Sequence, residues 1–221
     1  MALERRAFLQ AMVSRPLVAS TVVGLLLEDI GAGLFVGLLF ELLHLGGASL
    51  GGSHPDHDTL PAVAGAAFAA QMGDASGTDS TAAMWSLAVL VCLPMGQAGR
   101  ALEVKLDERA RKYFGRAVSA VDAGDLRRAA RQNLRAMWPQ FVFYGLLCGL
   151  AAELGTLLAP FEQTLPLGVL RGLAWAYPAM GTGAAAIAVR GTQARHRFIV
   201  AGVAATAAWV VAFGSWYRGQ P

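Results

Sequence analysis

The sequence predicts an all-α, polytopic helical membrane protein with re-entrant or broken helices in its N-terminal half. Hydrophobic residues make up 55% of the 221 residues and charged residues only 15%, unlike an average soluble domain. Apolar stretches near 20 residues recur, and each is long enough for the roughly 30 Å hydrocarbon core. Several such stretches with few internal charges disfavour a soluble core, and their lack of period-2 alternation disfavours a β-barrel. We expect residues 1–221 to form a single integral membrane domain.

The N-terminal apolar runs are shorter than a membrane span. Residues 16–27 follow a charged region, as in a signal peptide, but lead straight into Glu28 and Asp29 without a cleavage site, so the element is predicted to be uncleaved. It should therefore be a re-entrant or broken helix that continues after the glycine-rich residues 31–33. Residues 59–72 are short in the same way. Irregular backbone at membrane depth needs protein or a water-filled cavity around it, so we expect residues 16–73 to lie inside the molecule.

Longer apolar runs follow at residues 82–99, 137–159, 165–189 and 198–217. Residues 100–135 lie between the first two of these runs and carry ten of the 18 Lys and Arg residues. The positive-inside rule places this basic segment in the cytoplasm. Apolar residues recur there at helical spacing, which predicts an amphipathic helix up to a break at residues 122–125. Asp125 should then cap a second helix that runs through Arg135.

The basic segment has two candidate partners, nucleic acid and the membrane surface. Glu103, Asp107 and Glu108 are interleaved with its basic residues. This mixture favours a solvated or lipid-headgroup face over nucleic acid binding. We therefore predict no nucleic acid partner and a lipid bilayer around the chain.

Glu41 lies in the middle of the apolar run 31–50. A carboxylate at that depth costs about 2.5–3.5 kcal/mol on insertion scales, so a partner, water or a polar ligand must compensate it. One reading is contact with a polar solute; the other is an ion pair, for example with Arg15, that holds two helices together. Glu41 and His44 share one helix face, but further metal ligands would have to come from loop histidines, so no metal site is predicted.

The chain shows no catalytic centre of its own. It has neither a glycine-rich loop followed by Lys and Ser/Thr for nucleotide phosphates nor a nucleophile elbow. No cofactor is therefore predicted, and whether the protein serves an enzymatic complex stays open at this point.

Five short segments follow one another in a recognisable order: residues 14–18 (SRPLV), 23–29 (VGLLLED), 40–46 (FELLHLG), 54–56 (HPD) and 94–99 (PMGQAG). With the hydropathy pattern, they resemble the IIC subunit of the mannose/fructose/sorbose family of bacterial sugar phosphotransferase systems. The resemblance covers roughly residues 3–215. Glu28 stands where the family usually has glycine. The family also has a further hydrophobic helix upstream, so either the start of this sequence was assigned late or the chain is a short variant.

This resemblance implies a membrane translocator of elevator type in the bacterial inner membrane. It would carry a hexose-type sugar with a IID subunit, in an oligomer, while phosphate passes from phosphoenolpyruvate through soluble IIA and IIB proteins. No phosphoryl-carrying residue is implied on this subunit. Two alternatives remain open: a membrane interaction or regulatory subunit that kept the fold without transport, and an ion-coupled solute carrier.

The predicted substrate-binding residues are Glu41, Asp56, Gln97 and Asp29, which lie within the resembling segments. Carboxylates and amides suit the many hydroxyls of a neutral sugar. Each has a structural alternative. Asp56 could cap the helix that follows it, Asp29 could end a helix near the interface, and Gln97 could form an interhelical hydrogen bond. Glycines 24, 33 and 37 are expected to permit close helix packing.

Overall fold

The computed structural model describes residues 12–44, 57–72, 78–188, 196, 199–200 and 202–204. Within this part of the chain, seven α-helices and one 3-10 helix form, and there is no strand. The α-helices are α1 (Pro16–Leu26), α2 (Ile30–His44), α3 (Thr59–Gln71), α4 (Thr78–Cys92), α5 (Met95–Asp122), α6 (Leu126–Leu158) and α7 (Leu167–Ala188). The 3-10 helix, Ala159–Thr164, directly continues α6.

Helices α1 and α2 form an antiparallel hairpin. The chain reverses at Glu28, which has a positive φ of 63°. The side chain of Asp29 then accepts a hydrogen bond of 2.8 Å from Ala32 N and so caps α2. The prediction of a break at residues 31–33 is therefore wrong: the break lies at residues 27–29, and residues 31–33 belong to the first turn of α2. Further along the hairpin Gly24 packs against Gly33, which confirms that these glycines permit close packing.

The first three helices are too short to cross a bilayer. They contain 11, 15 and 13 residues, which gives roughly 16–23 Å at 1.5 Å per residue against a core of about 30 Å. Helix α3 is buried along almost its whole length and packs against α1, α2, α4, α5 and α6. The expectation of an interior location is correct for α3. It is wrong for one face of the α1–α2 hairpin, where Leu25, Leu26 and Ile30 are exposed.

The predicted span 82–99 is interrupted. Helix α4 ends at Cys92 and α5 begins at Met95, because Pro94 has no N–H and its ring obstructs a continuing helix. Asp125 caps α6 as predicted, since its carboxylate accepts a 2.8 Å hydrogen bond from Arg128 N. The helix after it does not end at Arg135, however. The basic helix and the predicted span 137–159 are one helix of 33 residues.

Helix α7 coincides with the predicted span 165–189, whereas most of the predicted span 198–217 lies outside the described residues. Two helical stretches of the described residues, Thr81–Asp122 and Leu126–Thr164, are long and apolar enough to cross a membrane by length and composition. The buried core is built mainly from α2, α3 and α4, with Phe40, Phe68 and Met84 among its largest side chains. This core holds the ends of α2 and α3 in place.

Candidate functional site

Three helix ends meet at a cleft of about 210 Å³. They are the start of α1, the end of α2 and the start of α3. The cleft is lined by Arg15, Pro16, Glu41, His44 and Asp58. Helix ends leave backbone N–H and C=O groups without partners inside the helix, so polar side chains are needed where such ends are enclosed by protein.

Glu41 contacts the start of α1 with both of its carboxylate oxygens. Its Oε1 lies 2.8 Å from a guanidinium nitrogen of Arg15, and Leu17 N donates to its Oε2 over a longer 3.4 Å. The N-terminal end of a helix carries partial positive charge, so the start of α1 adds to the stabilisation of this carboxylate. Only 14% of the Glu41 side chain is exposed, against 51% for Arg15. The ion pair considered from the sequence is present, and one side of it opens to the cleft.

His44 and Asp58 supply the other polar groups. His44 Nδ1 lies 2.8 Å from the carbonyl oxygen of Phe40, and since a carbonyl only accepts, Nδ1 must donate. Nε2 of the neutral ring is then an acceptor. Asp58 accepts a 2.8 Å hydrogen bond from Thr59 N at the start of α3. The capping carboxylate of this helix is therefore Asp58. The hydroxyl of Thr59 donates to the carbonyl oxygen of Ser14, which ties α3 to the segment before α1.

The charges of the cleft suit a neutral polar molecule. Its lining has one formal positive charge, on Arg15, and two formal negative charges, on Glu41 and Asp58. Carboxylate oxygens accept several hydrogen bonds each, while the guanidinium group donates. The cleft thus offers acceptors and a donor within a small volume. A net charge of −1 disfavours anions, including a sugar phosphate.

A second polar pair involves the residue that precedes Asp58 in the chain. His57 Nε2 is 3.7 Å from Oε1 of Glu103 on α5, and both side chains are about 95% buried. The sequence had suggested a solvated face for Glu103 because basic residues surround it. The spacing of the buried residues Gly96, Gly99, Glu103 and Leu106 is that of one helix face. This periodicity was the signal that could have identified Glu103 as inward-facing.

The predicted site residues are not all brought together. Glu41 lines the cleft, but Asp29 caps the opposite end of α2, roughly 18 Å away at 1.5 Å per residue. Gln97 is exposed on the first turn of α5, and neither it nor Asp29 belongs to the described lining of the cleft. Asp56 lies outside the described residues. A sugar-binding role for these four residues stays a prediction.

Comparison with known proteins gives a family and a fold. A family model described as the sorbose-specific IIC component of the phosphotransferase system matches residues 1–204. No curated protein sequence matches the chain significantly. A solved structure described only as a membrane protein is 18% identical, with a TM-score of 0.65 over 96% of this chain and 87% of that one.

A cryo-EM structure of the mannose transporter ManYZ in complex with a microcin is also similar. The identity is again 18%, and the TM-score is 0.56 over 96% of this chain and 88% of that one. At such low identity these likenesses show the fold alone. They confirm the predicted helical membrane fold.

Proposed function

The chain belongs to the sorbose-specific IIC family and is a membrane sugar-transport subunit of a phosphotransferase system, and from this premise we propose its specific role. It carries a hexose-type sugar across the bacterial inner membrane with a IID subunit, while a soluble IIB protein phosphorylates the sugar. Phosphate reaches IIB from phosphoenolpyruvate through IIA. The core that contains the cleft moves against the remaining helices in an elevator-type step.

The observation that carries this proposal is the placement of Glu41. Its carboxylate belongs to an otherwise apolar helix, yet it lies at a cleft formed by the ends of three half-length helices. Broken helices whose ends meet inside the membrane are a recurrent way to build a transport site. The Arg15 contact occupies only part of the acceptor capacity of Glu41. The remaining oxygen lone pairs are available to sugar hydroxyls.

A IID partner is supported by the likeness to ManYZ, a mannose transporter. The outer surface of the chain also fits a neighbour or lipid. On α6 the exposed residues Leu146, Leu150, Leu154 and Leu157 follow helical spacing. An exposed apolar stripe of this kind needs an apolar environment. We assign it to the bilayer and the IID subunit together, in an oligomeric complex.

The Arg15–Glu41 ion pair also favours a second candidate function. Because Arg15 compensates the buried carboxylate, Glu41 needs no solute to be tolerated. A subunit that kept the fold as an interaction or regulatory partner, without transport, would use the pair only to join α1 to α2. This alternative predicts that loss of the Glu41 charge leaves the cellular role intact.

The test uses inside-out vesicles that contain this chain and its IID subunit, with the soluble phosphotransferase proteins added. Radiolabelled sorbose or mannose is enclosed in the vesicles, phosphoenolpyruvate is supplied outside, and the sugar phosphate that appears outside is measured. We expect Glu41→Gln to abolish phosphorylation while the protein still inserts. Glu153→Gln is the matched control, because Glu153 is exposed on α6; it should leave the rate unchanged.

Two other outcomes would redirect the interpretation. Wild-type vesicles that form the complex with IID but phosphorylate no hexose would favour the interaction subunit. Sugar release from the vesicles that needs no phosphoenolpyruvate and stops when the ion gradient is removed would indicate an ion-coupled carrier.

A further inference from the structure

The geometry points to His57 and Glu103 as a positioning pair that sets the sugar-binding cleft. The two side chains fix the backbone of residues 57–59 against α5 and so determine where the carboxylate of Asp58 lies. This inference rests on the proposed function, because it gives the pair a role in sugar affinity.

Polar contacts hold His57 in place, and its ring also packs against the ring of Tyr144. Its backbone N–H donates to the carbonyl oxygen of Gly96 over 3.0 Å, and its Nδ1 accepts from Leu60 N over 3.0 Å. An Nδ1 that accepts carries no hydrogen, so the ring is neutral with its proton on Nε2. That N–H faces Glu103. The imidazole therefore links the start of α3 to α5 in one defined orientation.

Glu103 supplies the other half of the pair. Its carboxylate is about 95% buried and lies 3.7 Å from His57 Nε2, so the contact is electrostatic and longer than a hydrogen bond. Burying a carboxylate is unfavourable without compensation. His57 supplies one such compensating contact.

Gly99 makes the approach of the two segments very close. A methyl carbon at this position would lie 2.7 Å from Cβ of His57 and 3.0 Å from a methyl group of Leu60. Any side chain at residue 99 would push α5 away from the start of α3. Glycine at this position is what lets the His57–Glu103 contact form.

The cleft is affected because Asp58 directly follows His57. Consecutive Cα atoms are held about 3.8 Å apart, so a shift of the His57 backbone also moves Asp58. Asp58 lines the cleft and caps α3 at the same time. Displacements near 1 Å are enough to weaken a binding geometry. His57 and Glu103 act on the sugar through Asp58 and do not touch it.

The first experiment measures sugar phosphorylation at varied sorbose or mannose concentration in the vesicles described above. Glu103→Gln removes the charge and keeps the size. We expect the KM for the sugar to rise roughly 5- to 10-fold, the factor that follows from losing about one ordinary hydrogen bond between Asp58 and the sugar, with the maximal rate and the amount of inserted protein unchanged. Glu108→Gln, an exposed position on the same helix, should leave the KM unchanged.

A double-mutant cycle separates positioning from general destabilisation. His57→Asn keeps an acceptor near Leu60 N but no longer reaches Glu103. If the two residues act as a pair, His57→Asn with Glu103→Gln should raise the KM no further than either single change. Effects that simply multiply would overturn the pairing.

Steric separation gives an independent route. Gly99→Ala should raise the KM by at least as much as Glu103→Gln. Gly115→Ala on the same helix is the control, since nothing lies within 4 Å of a methyl carbon there. Unchanged KM values in both Gly99→Ala and Glu103→Gln, while Glu41→Gln is still inactive, would overturn the positioning role and leave the proposed function standing. Wild-type vesicles that phosphorylate no sugar would instead overturn the proposed function, and an active Glu41→Gln would overturn only the sugar contact assigned to Glu41.

Discussion

The close packing of the α1–α2 hairpin at Gly33 allows a quantitative prediction. A methyl carbon on Gly33 would lie 2.5 Å from the backbone oxygen of Ser20 and about 3.0 Å from Cα of Gly24 and of Thr21. All of these are backbone atoms, so no side chain can rotate out of the way. Non-bonded atoms normally sit near 3.5 Å, so Gly33→Ala requires the two helices to separate by about 1 Å.

Overpacking of this kind costs about 1–3 kcal/mol of the free energy of unfolding. Alanine also gains up to about 1 kcal/mol over glycine in a helix, which partly offsets the loss. Gly149→Ala on α6 should gain helix propensity without a packing cost, because nothing lies within 4 Å of a methyl carbon at that position. The difference between the two variants therefore isolates the packing term, about 1–3 kcal/mol.

The assay is reversible unfolding of the purified chain in mixed micelles, followed by circular dichroism. Thermal unfolding gives a second readout, at roughly 2–4 °C per kcal/mol for a chain of this length. Gly33→Ala should unfold earlier than wild type, and Gly149→Ala at the same point or later. Equal stability of the two variants would refute the packing of α1 on α2 as described.

Two further changes test single hydrogen bonds. Asp125→Ala removes the cap of α6 and should lower the free energy of unfolding by about 1 kcal/mol. Asp122→Ala, at the last residue of α5, is the control and should have no such cost. Chemical denaturation measures both variants, and equal stability would contradict the capping role of Asp125. Tyr177→Phe removes the 2.8 Å hydrogen bond from α7 to the carbonyl oxygen of Phe35 and should lower the free energy of unfolding by about 0.5–1.5 kcal/mol. Tyr113→Phe on α5 is the control. Equal stability of the two variants would contradict the hydrogen bond between α7 and α2.

Hydropathy predicted the helical membrane fold and most helix positions, because apolar length and charge asymmetry are local properties of the chain. The prediction of helix boundaries from hydropathy failed at two prolines. Pro94 divides an apolar run that looks continuous, while α6 passes through Pro139 without ending. Proline stops a helix only when the neighbouring packing does not replace the lost hydrogen bond. That packing comes from distant parts of the chain, so a sequence pattern does not contain it.

The site was predicted only in part for a related reason. Glu41 stood out because its surroundings in the sequence are apolar, and it lines the cleft. Glu103 was assigned to a solvated face because its neighbours in the sequence are charged, and its actual neighbour His57 is 46 positions earlier. Asp58, two positions after the motif residue Asp56, had no distinguishing sequence feature. Side chains brought together by tertiary packing are recognised from sequence only when they also interrupt a local pattern.

The cleft residues have a structural task that constrains how their roles can be tested. Leu17 N, Thr59 N and Leu60 N belong to helix starts and lack helical partners, and they are satisfied by Glu41, Asp58 and His57 in turn. Replacing such a side chain with alanine would leave an N–H without its partner, at a cost of about 1–3 kcal/mol. Loss of transport in an alanine variant would then not separate folding from binding. Glutamine at residue 41 and asparagine at residue 57 keep an acceptor oxygen for the N–H, so their effects on transport are less mixed with unfolding than those of alanine.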